Sequence, residues 1–414
     1  MFDKLLKQIF NEWRSNLWLL LELLVVSVVL WYVTDYLYTT ASIASRPKGF
    51  DAENTFRISF DQLNSNSPEY EARPDSLVIA DFSELLDRIS RHPEVEAASL
   101  SVNSFPYNGS NSNRMIVSER YDSVPVYPLM RFITSDFVKV FRYTGANGES
   151  SERLAELLDE GKILVTDNLL AKTPANVEHM TELVGTRFYL DGDTTISMAL
   201  GASITPVRYA DYRTWSQCIV IPMDEADMRF ANELCVRVKP EYTKGFADRF
   251  MAEADKNYRV GNLFIMGVES FDSIKEGFQL EETNSIRNYY VGMGFLLLNI
   301  FLGLLGTFWF RTQQRVREIA IREVCGSTRG QVFGRLIGEG LLLLAVVTPL
   351  ALIIDINLAN LEFNQRLDGY LEWGRLLNCA VITFLLMAVM ISVGIAIPAW
   401  RAMKMQPVEA LADE

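Results

Sequence analysis

Arg315, Arg322 and Arg329 recur every seven residues in the stretch RVREIAIREVCGSTRG, which runs from Arg315 to Gly330. A guanidinium is a planar fork of N–H donors, so its chemistry is the grip of carboxylates and phosphates. The wider segment 311–335 carries Arg311, Arg315, Arg317, Arg322, Arg329 and Arg335 against only Glu318 and Glu323. As a helix it sets Val316, Ile319, Ala320 and Val324 on one apolar stripe and the arginines on another. Glu318 stands four residues before Arg322, the stabilising order for a helical ion pair. Gly326 suits a left-handed helix end, and Ser327 or Thr328 an N-cap for the helix that follows. Arginines that only oriented a membrane chain or touched lipid phosphates would need no apolar stripe, no Glu–Arg pair and no glycine stop. The pattern predicts a short amphipathic helix that docks in a groove on another protein.

The groups that would make the chain an enzyme do not assemble in the sequence. No G-x-x-x-x-G-K-[ST] loop occurs, and the one Gly-Lys pair, Gly161–Lys162, lacks the earlier glycine. There is no H-E-x-x-H, no G-x-S-x-G and no metal-spaced Cys/His cluster. The two histidines, His92 and His179, read as surface residues at a helix end and after a turn. Asp191 and Asp193 make a carboxylate pair that a hairpin turn already explains. We therefore expect a non-catalytic chain with no cofactor or metal of its own. Of the four cysteines, Cys325 falls in the arginine-rich segment and Cys379 in an apolar run. Cys218 and Cys235 are each central to a predicted strand. If those strands are neighbours, a disulfide is geometrically available; otherwise they are two buried thiols acting as small hydrophobes.

Four long apolar runs must position the arginines: Leu17–Tyr38, Tyr289–Phe310, Leu336–Ile354 and Leu376–Ile397. Each is about 20 residues, enough to cross roughly 30 Å of hydrocarbon as a helix. The first is too long for a signal-peptide core of about 7–15 residues, and it carries Glu22. Glu22, Asp35, Glu339 and Asp355 are the acidic residues of these runs and lie near their ends, where snorkelling or a partner suffices. Lys4, Lys7 and Arg14 precede the first run, the arginines lie between the second and third, and Arg401 and Lys404 follow the fourth. That bias places both termini and the arginine segment in the cytoplasm of a multi-pass membrane protein.

The domain plan expected from this is an amphipathic interfacial helix at 1–16, then spans at 17–38, 289–310, 336–354 and 376–397. An ectodomain fills 39–288, a coupling segment 311–335, a short external loop 355–375 and a cytoplasmic tail 398–414. Ala41 to Asn288 holds 26 Lys and Arg against 38 Asp and Glu, so nearly all of the chain's net −13 belongs to the ectodomain. So acidic a surface argues against nucleic acid as a partner. Within it, NTFRISF, EVEAASLSV, KILVT, QCIVIP and ELCVRVKP read as strands. DFSELLDRISRH reads as a helix capped by Asp81 or Ser83, DNLLAKT as a short helix, and TRFYLDGDTTISMALGAS as a hairpin turning at Asp191–Asp193.

REIAIREVCGSTRGQVFGRLIGEGLLLL resembles the segment joining the second and third spans of MacB/FtsX-type ABC transporter permeases. Arg317, Glu318, Ile319, Ile321, Arg322 and Gly326 match its R-E-I-G-I-R-K-A-L-G-A-like pattern, and Glu339 matches a glutamate one turn into the third span. IPAWRAMKMQPVEAL is similar to the family's ending through Pro398, Ala399, Ala402, Pro407, Val408, Glu409, Ala410 and Leu411. KILVTDNLLAK and LVGTRFYLDGD resemble parts of its periplasmic core domain. Ala320, Glu323 and Cys325 depart from the pattern; Glu323 changes the charge offered to a partner and so bears on which partner is accepted.

The resemblance implies an α-helical membrane domain of four spans and a mixed α/β periplasmic ectodomain of two subdomains between the first and second spans. The inserted subdomain would be about 131–238 and hold both Cys218 and Cys235. It implies a separate cytoplasmic ABC ATPase that binds the ATP and Mg, a second permease copy or a related chain, and a place in the inner membrane. Arg315, Arg317, Glu318, Ile319, Ile321, Arg322, Glu323 and Gly326 would form the ATPase-coupling site. The expected function is mechanotransmission: ATP hydrolysis outside this chain moves the ectodomain to export or extract an amphiphile, peptide or lipoprotein. The rival reading is a signalling subunit whose ectodomain activates a periplasmic hydrolase or senses a peptide.

Overall fold

The computed structural model describes residues 13–110, 112–171, 173–315, 318, 321, 324–361 and 373–402. The chain divides into a membrane unit and an ectodomain, Arg46–Glu282, inserted after the first helix.

Among the described residues four long helices form the membrane unit: α1 (Trp13–Ser45), α6 (Phe271–Gln314, of which the part from Thr283 belongs here), α7 (Arg329–Asn360) and α8 (Trp373–Ala402). All four are long and apolar enough to cross a membrane. Leu23 and Leu30 of α1, Leu304 and Phe308 of α6, Leu343 and Val347 of α7, and Met387 and Ile391 of α8 bury one core. The outward faces are apolar as well, with Leu21, Val25, Leu298, Leu302, Leu385 and Val389 exposed. A helix apolar on every side finds its solvent in hydrocarbon. α7 passes through Pro349 without a break in its helical assignment.

Between α1 and α6 the ectodomain builds one mixed sheet of eleven strands, in the order β11-β1-β10-β2-β5-β9-β6-β8-β7-β3-β4. In chain order the strands are β1 (Thr55–Gln62), β2 (Val95–Val102), β3 (Ile116–Ser118), β4 (Tyr121–Val126), β5 (Leu129–Ile133) and β6 (Ile163–Thr166). They continue as β7 (Arg187–Leu190), β8 (Asp193–Ile204), β9 (Cys218–Pro222), β10 (Glu233–Val238) and β11 (Leu263–Ser270). Most pairs are antiparallel; β5 with β9 and β6 with β8 are parallel. α2 (Asp75–Ser90) and α5 (Phe246–Asn257) bury Phe82, Leu85, Phe246 and Phe250 against Phe56, Ile58, Leu234 and Val236. α3 (Phe137–Val140) and α4 (Ser151–Asp159) pack Phe137, Val138, Leu154 and Leu158 into a second core with Phe141 and Phe271. A third core under the far end of the sheet holds Ile116, Met180, Phe188 and Leu190. Arg237 lies wholly buried, and its guanidinium donates to the carbonyls of Val140, Glu53 and Asp51 at 2.7, 2.8 and 2.5 Å.

The expected strands and the 191–193 turn are present; Asp191 and Gly192 take φ of +51° and +74°, the left-handed pair that a two-residue hairpin requires. Three local expectations need correction. α2 starts at Asp75 after Pro74, so Asp81 is no cap; it lies inside the helix and accepts from Arg73. DNLLAKT forms turns among its described residues, because the Asp167 carboxylate accepts from Ser203 Oγ at 2.8 Å and Met180 N at 2.9 Å and fixes a local fold that competes with helix.

The third correction is the disulfide. Cys218 and Cys235 are both free and buried. Cys218 begins β9, Cys235 lies in β10, and β2 and β5 run between them. That separation is three strand spacings, about 14 Å, whereas a disulfide needs Cα atoms within about 7 Å. β10 pairs with β1 and β2, so the two cysteines do not share an inserted subdomain.

Candidate functional site

The segment after α6 begins with an internal grip. Arg311 in the last turn of α6 and Arg315 just beyond it are one helical turn apart and converge on Glu339 of α7. Arg311 Nη2 lies 3.2 Å from Glu339 Oε1, and Arg315 Nη1 lies 2.6 Å from Oε2. Glu339 is 5% exposed. Opposite charges so placed satisfy both carboxylate oxygens of a buried group that would otherwise be costly. Phe308, Leu336, Gly340 and Leu343 line the pocket around it. A Cβ at Gly340 would sit 2.6 Å from Ile395 Cδ1, so the bare glycine lets α8 close on this spot.

Beyond Arg315, residues 318, 321 and 324 are helical, and Cys325 N donates to the Ile321 carbonyl at 2.9 Å. Gly326 ends this turn at φ +92°. Thr328 then caps α7 in a reciprocal box: its Oγ1 accepts from Gln331 N while its own N–H donates to Gln331 Oε1. Glycine stop and threonine cap are where the sequence places them. Ile321 and Val324 are 49% and 67% exposed, an apolar pair facing away from the unit's own core. Of the expected coupling residues, Arg315, Glu318, Ile321 and Gly326 are described; Arg317, Ile319, Arg322 and Glu323 lie outside the described residues, as do the interfacial helix up to residue 12 and the tail from 403. Arg315, expected to face a partner, faces Glu339.

Two more polar contacts tie the helices. Thr307 Oγ1 of α6 donates to Glu22 Oε1 of α1 at 3.1 Å. Arg375 of α8 makes a two-pronged pair with Asp35 of α1, at 2.7 and 2.6 Å. Neither partner choice is readable from spacing, since Asp35 and Arg375 stand far apart in the chain. Asp355 is buried with Oδ1 unpaired, beside the unpaired Nε1 of Trp31 and Oγ1 of Thr383 in one small cavity. Among the described residues no three His, Cys, Asp or Glu side chains gather as they would to hold a metal ion.

Residues 290–407 match the family model described as FtsX-like permease C-terminal. Within the membrane unit, the second, third and fourth helices are therefore similar to an FtsX-like permease C-terminal domain. The chain thus carries a stretch similar to an FtsX-like permease C-terminal domain among helices long and apolar enough to cross a membrane, with a large inserted domain between its first two helices. The Glu339 grip, the Gly326 stop and the Thr328 cap all fall within that stretch. The ectodomain of an ABC-type transporter from Gram-positive bacteria, YknZ, aligns over 52% of this chain and 100% of its own length, at 11% identity and a TM-score of 0.31. At that score the alignment carries no argument. A 68-residue stretch is 37% identical to UvrABC system protein B of Levilactobacillus brevis, over 16% of this chain. The chain spans only 10% of that protein's length there, and nothing of its activity transfers to the permease.

Proposed function

We propose that this permease transmits the motion of a separate cytoplasmic ATPase to its ectodomain, to export or extract an amphiphile, peptide or lipoprotein. The observation that carries the reading is the hold of Arg311 and Arg315 on Glu339. It fastens α6 to α7 at the root of the segment between them, so a push on that segment reaches both helices together. α6 then runs unbroken from Gln314 back to Phe271, the residue after β11, and is a lever that ends at the sheet. Ile321 and Val324 offer an exposed apolar surface, in an arginine-rich stretch of sequence, for a groove on the ATPase. The chain's lack of a phosphate-binding loop fits ATP being bound elsewhere. Both termini and the 311–335 segment lie in the cytoplasm in this reading, and the acidic ectodomain lies outside.

The test is purification of the full chain in mild detergent, followed by an ATPase assay on the co-purifying protein. Arg322→Glu should insert normally yet weaken ATPase association about 30-fold or more, the effect of losing a central interface arginine. Association at wild-type strength in that variant would remove the docking role.

A further inference from the structure

The ectodomain joins its membrane helices through two chain segments: residues 46–49 after α1, and the start of α6 at Phe271–Lys275. One loop, between β8 and β9, holds both. It is pinched at its base, where Ser216 N donates to the Val207 carbonyl at 2.9 Å. Arg208, 1% exposed, donates through Nε to the Pro47 carbonyl at 3.2 Å, through Nη2 to that of Arg46, and through Nη1 to that of Asp211 at 2.8 Å. Arg208 N also donates to the Lys48 carbonyl at 2.9 Å, and Trp215 Nε1 to the Pro47 carbonyl at 3.1 Å. The backbones touch: Gly49 has φ +78°, and a Cβ there would lie 2.3 Å from the Pro206 carbonyl oxygen. The loop is therefore pressed onto the first segment along its length.

Its ion-pair hold on the second segment runs through Asp211, beside Arg213, whose guanidinium lies 5.7 Å from the ring centre of Phe278 further along α6. Asp211 Oδ1 pairs with Lys48 Nζ at 2.8 Å, and Oδ2 with Lys275 Nζ at 2.7 Å. Tyr107 donates to the same carboxylate at 3.3 Å and accepts from Lys48 at 3.1 Å. One carboxylate thus bridges two ammonium groups, one from each connecting segment. A bond to Lys48 alone would be redundant, since Arg208 already anchors that strand; the bond to Lys275 joins the exit to the entry.

We propose that Asp211 is the positioning residue that clamps the two connecting segments together, so that displacement of α1 and α6 reaches the sheet as one movement. Lys48 and Lys275 are its two arms, and the loop 205–217 is the frame that aims it. The functional half of this inference rests on the transmission reading above; the clamp itself does not.

The experiment has two readouts on the full chain bound to its ATPase in lipid nanodiscs. Hydrogen exchange without nucleotide tests the clamp: Asp211→Asn should speed amide exchange in 271–276 by about tenfold for loss of a charge-assisted hydrogen bond, while 46–49, held by Arg208, changes little. Asp87→Asn, which removes an exposed pair with Arg91, should leave both unchanged. No acceleration in 271–276 overturns the clamp. The second readout is the change in a spin-label distance within the ectodomain on adding a non-hydrolysable ATP analogue. Asp211→Asn should lose most of this change at an unaltered basal ATPase rate, and Asp211→Glu should recover it. A full response in Asp211→Asn overturns the positioning role. A wild-type chain with no response sinks the transmission reading, and the positioning role with it, while the exchange result still decides whether the clamp exists.

Discussion

Arg375 and Asp35 meet inside the membrane unit through two hydrogen bonds, Nε to Oδ1 at 2.7 Å and Nη2 to Oδ2 at 2.6 Å. Their side chains are 10% and 2% exposed. Burying two charges costs several kcal/mol each, and only close paired geometry offsets it. The pair fixes the azimuth of α8 against α1 more than it adds net stability. Asp35→Ala should then destabilise the chain by about 3–5 kcal/mol, because it breaks a buried ion pair by removing one partner. Asp35→Leu with Arg375→Met should recover most of that loss. Thermal unfolding in detergent checks both, and a double variant as weak as the single one would show that the charges themselves are required.

The ectodomain's acid limb should be set by paired carboxylates. Burial pushes the Asp211 carboxyl up, but hydrogen bonds and charge from Lys275 and Lys48 outweigh it and hold the group below its ordinary range. Hydrogen bonds from Arg249 hold Glu94 below its own. As pH falls, the unfolded chain takes up these protons first. The stability the two groups contribute is therefore complete above their unfolded values, about 4, and is lost as pH falls through the lower folded values. Unfolding of the full chain measured from pH 7 to pH 3 should show little change from these groups until about pH 4 and a decline below it. Asp211→Asn should make that decline shallower; an identical acid slope in the variant would rule out its contribution.

Cys218 and Cys235 should both label with a thiol reagent when the protein is unfolded without reductant. The sheet holds them on strands separated by two others. Burial raises both thiols, Cys218 to about 11, so neither is a ready nucleophile while folded. The folded protein should therefore label at these positions far more slowly than at exposed Cys325. Protection of both after unfolding, reversed by reductant, would mean that the two do pair.

This cysteine pair shows where the sequence stops being readable. Apolar runs announce α1, α6, α7 and α8 because lipid demands uniform composition over a fixed length, and alternation announces β1. Gly326 and Thr328 were legible because a helix stop and a cap are local chemistry. Strand order is not local: β9 and β10 adjoin in the chain and lie apart in the sheet. The same holds for the partners of Glu339, Asp35 and Asp211. Glu339 and Asp35 stand out as carboxylates in apolar runs and Asp211 does not, but for all three which arginine or lysine arrives depends on how distant segments pack. Arg315 is the instructive case, an arginine expected to face a partner that pairs with Glu339 in the fold.

Gly49 separates two costs that usually come mixed. Its φ of +78° is one that residues with a Cβ rarely adopt, a penalty of roughly 1–2 kcal/mol for alanine. Its Cβ would also meet the Pro206 carbonyl oxygen at 2.3 Å, and that atom belongs to backbone. Gly148 has a comparable φ of +88° with nothing within 4 Å of the same point. Gly148→Ala should therefore show the conformational penalty alone. Gly49→Ala should lose more, because the loop 205–217 must lift from residues 46–49 to make room, and Arg208 then leaves the carbonyls of Arg46 and Pro47. The excess should appear in thermal unfolding of the full chain and as faster proteolysis within 205–217. Equal losses at the two glycines would mean that the loop yields freely, and a loop that yields freely cannot hold two segments together.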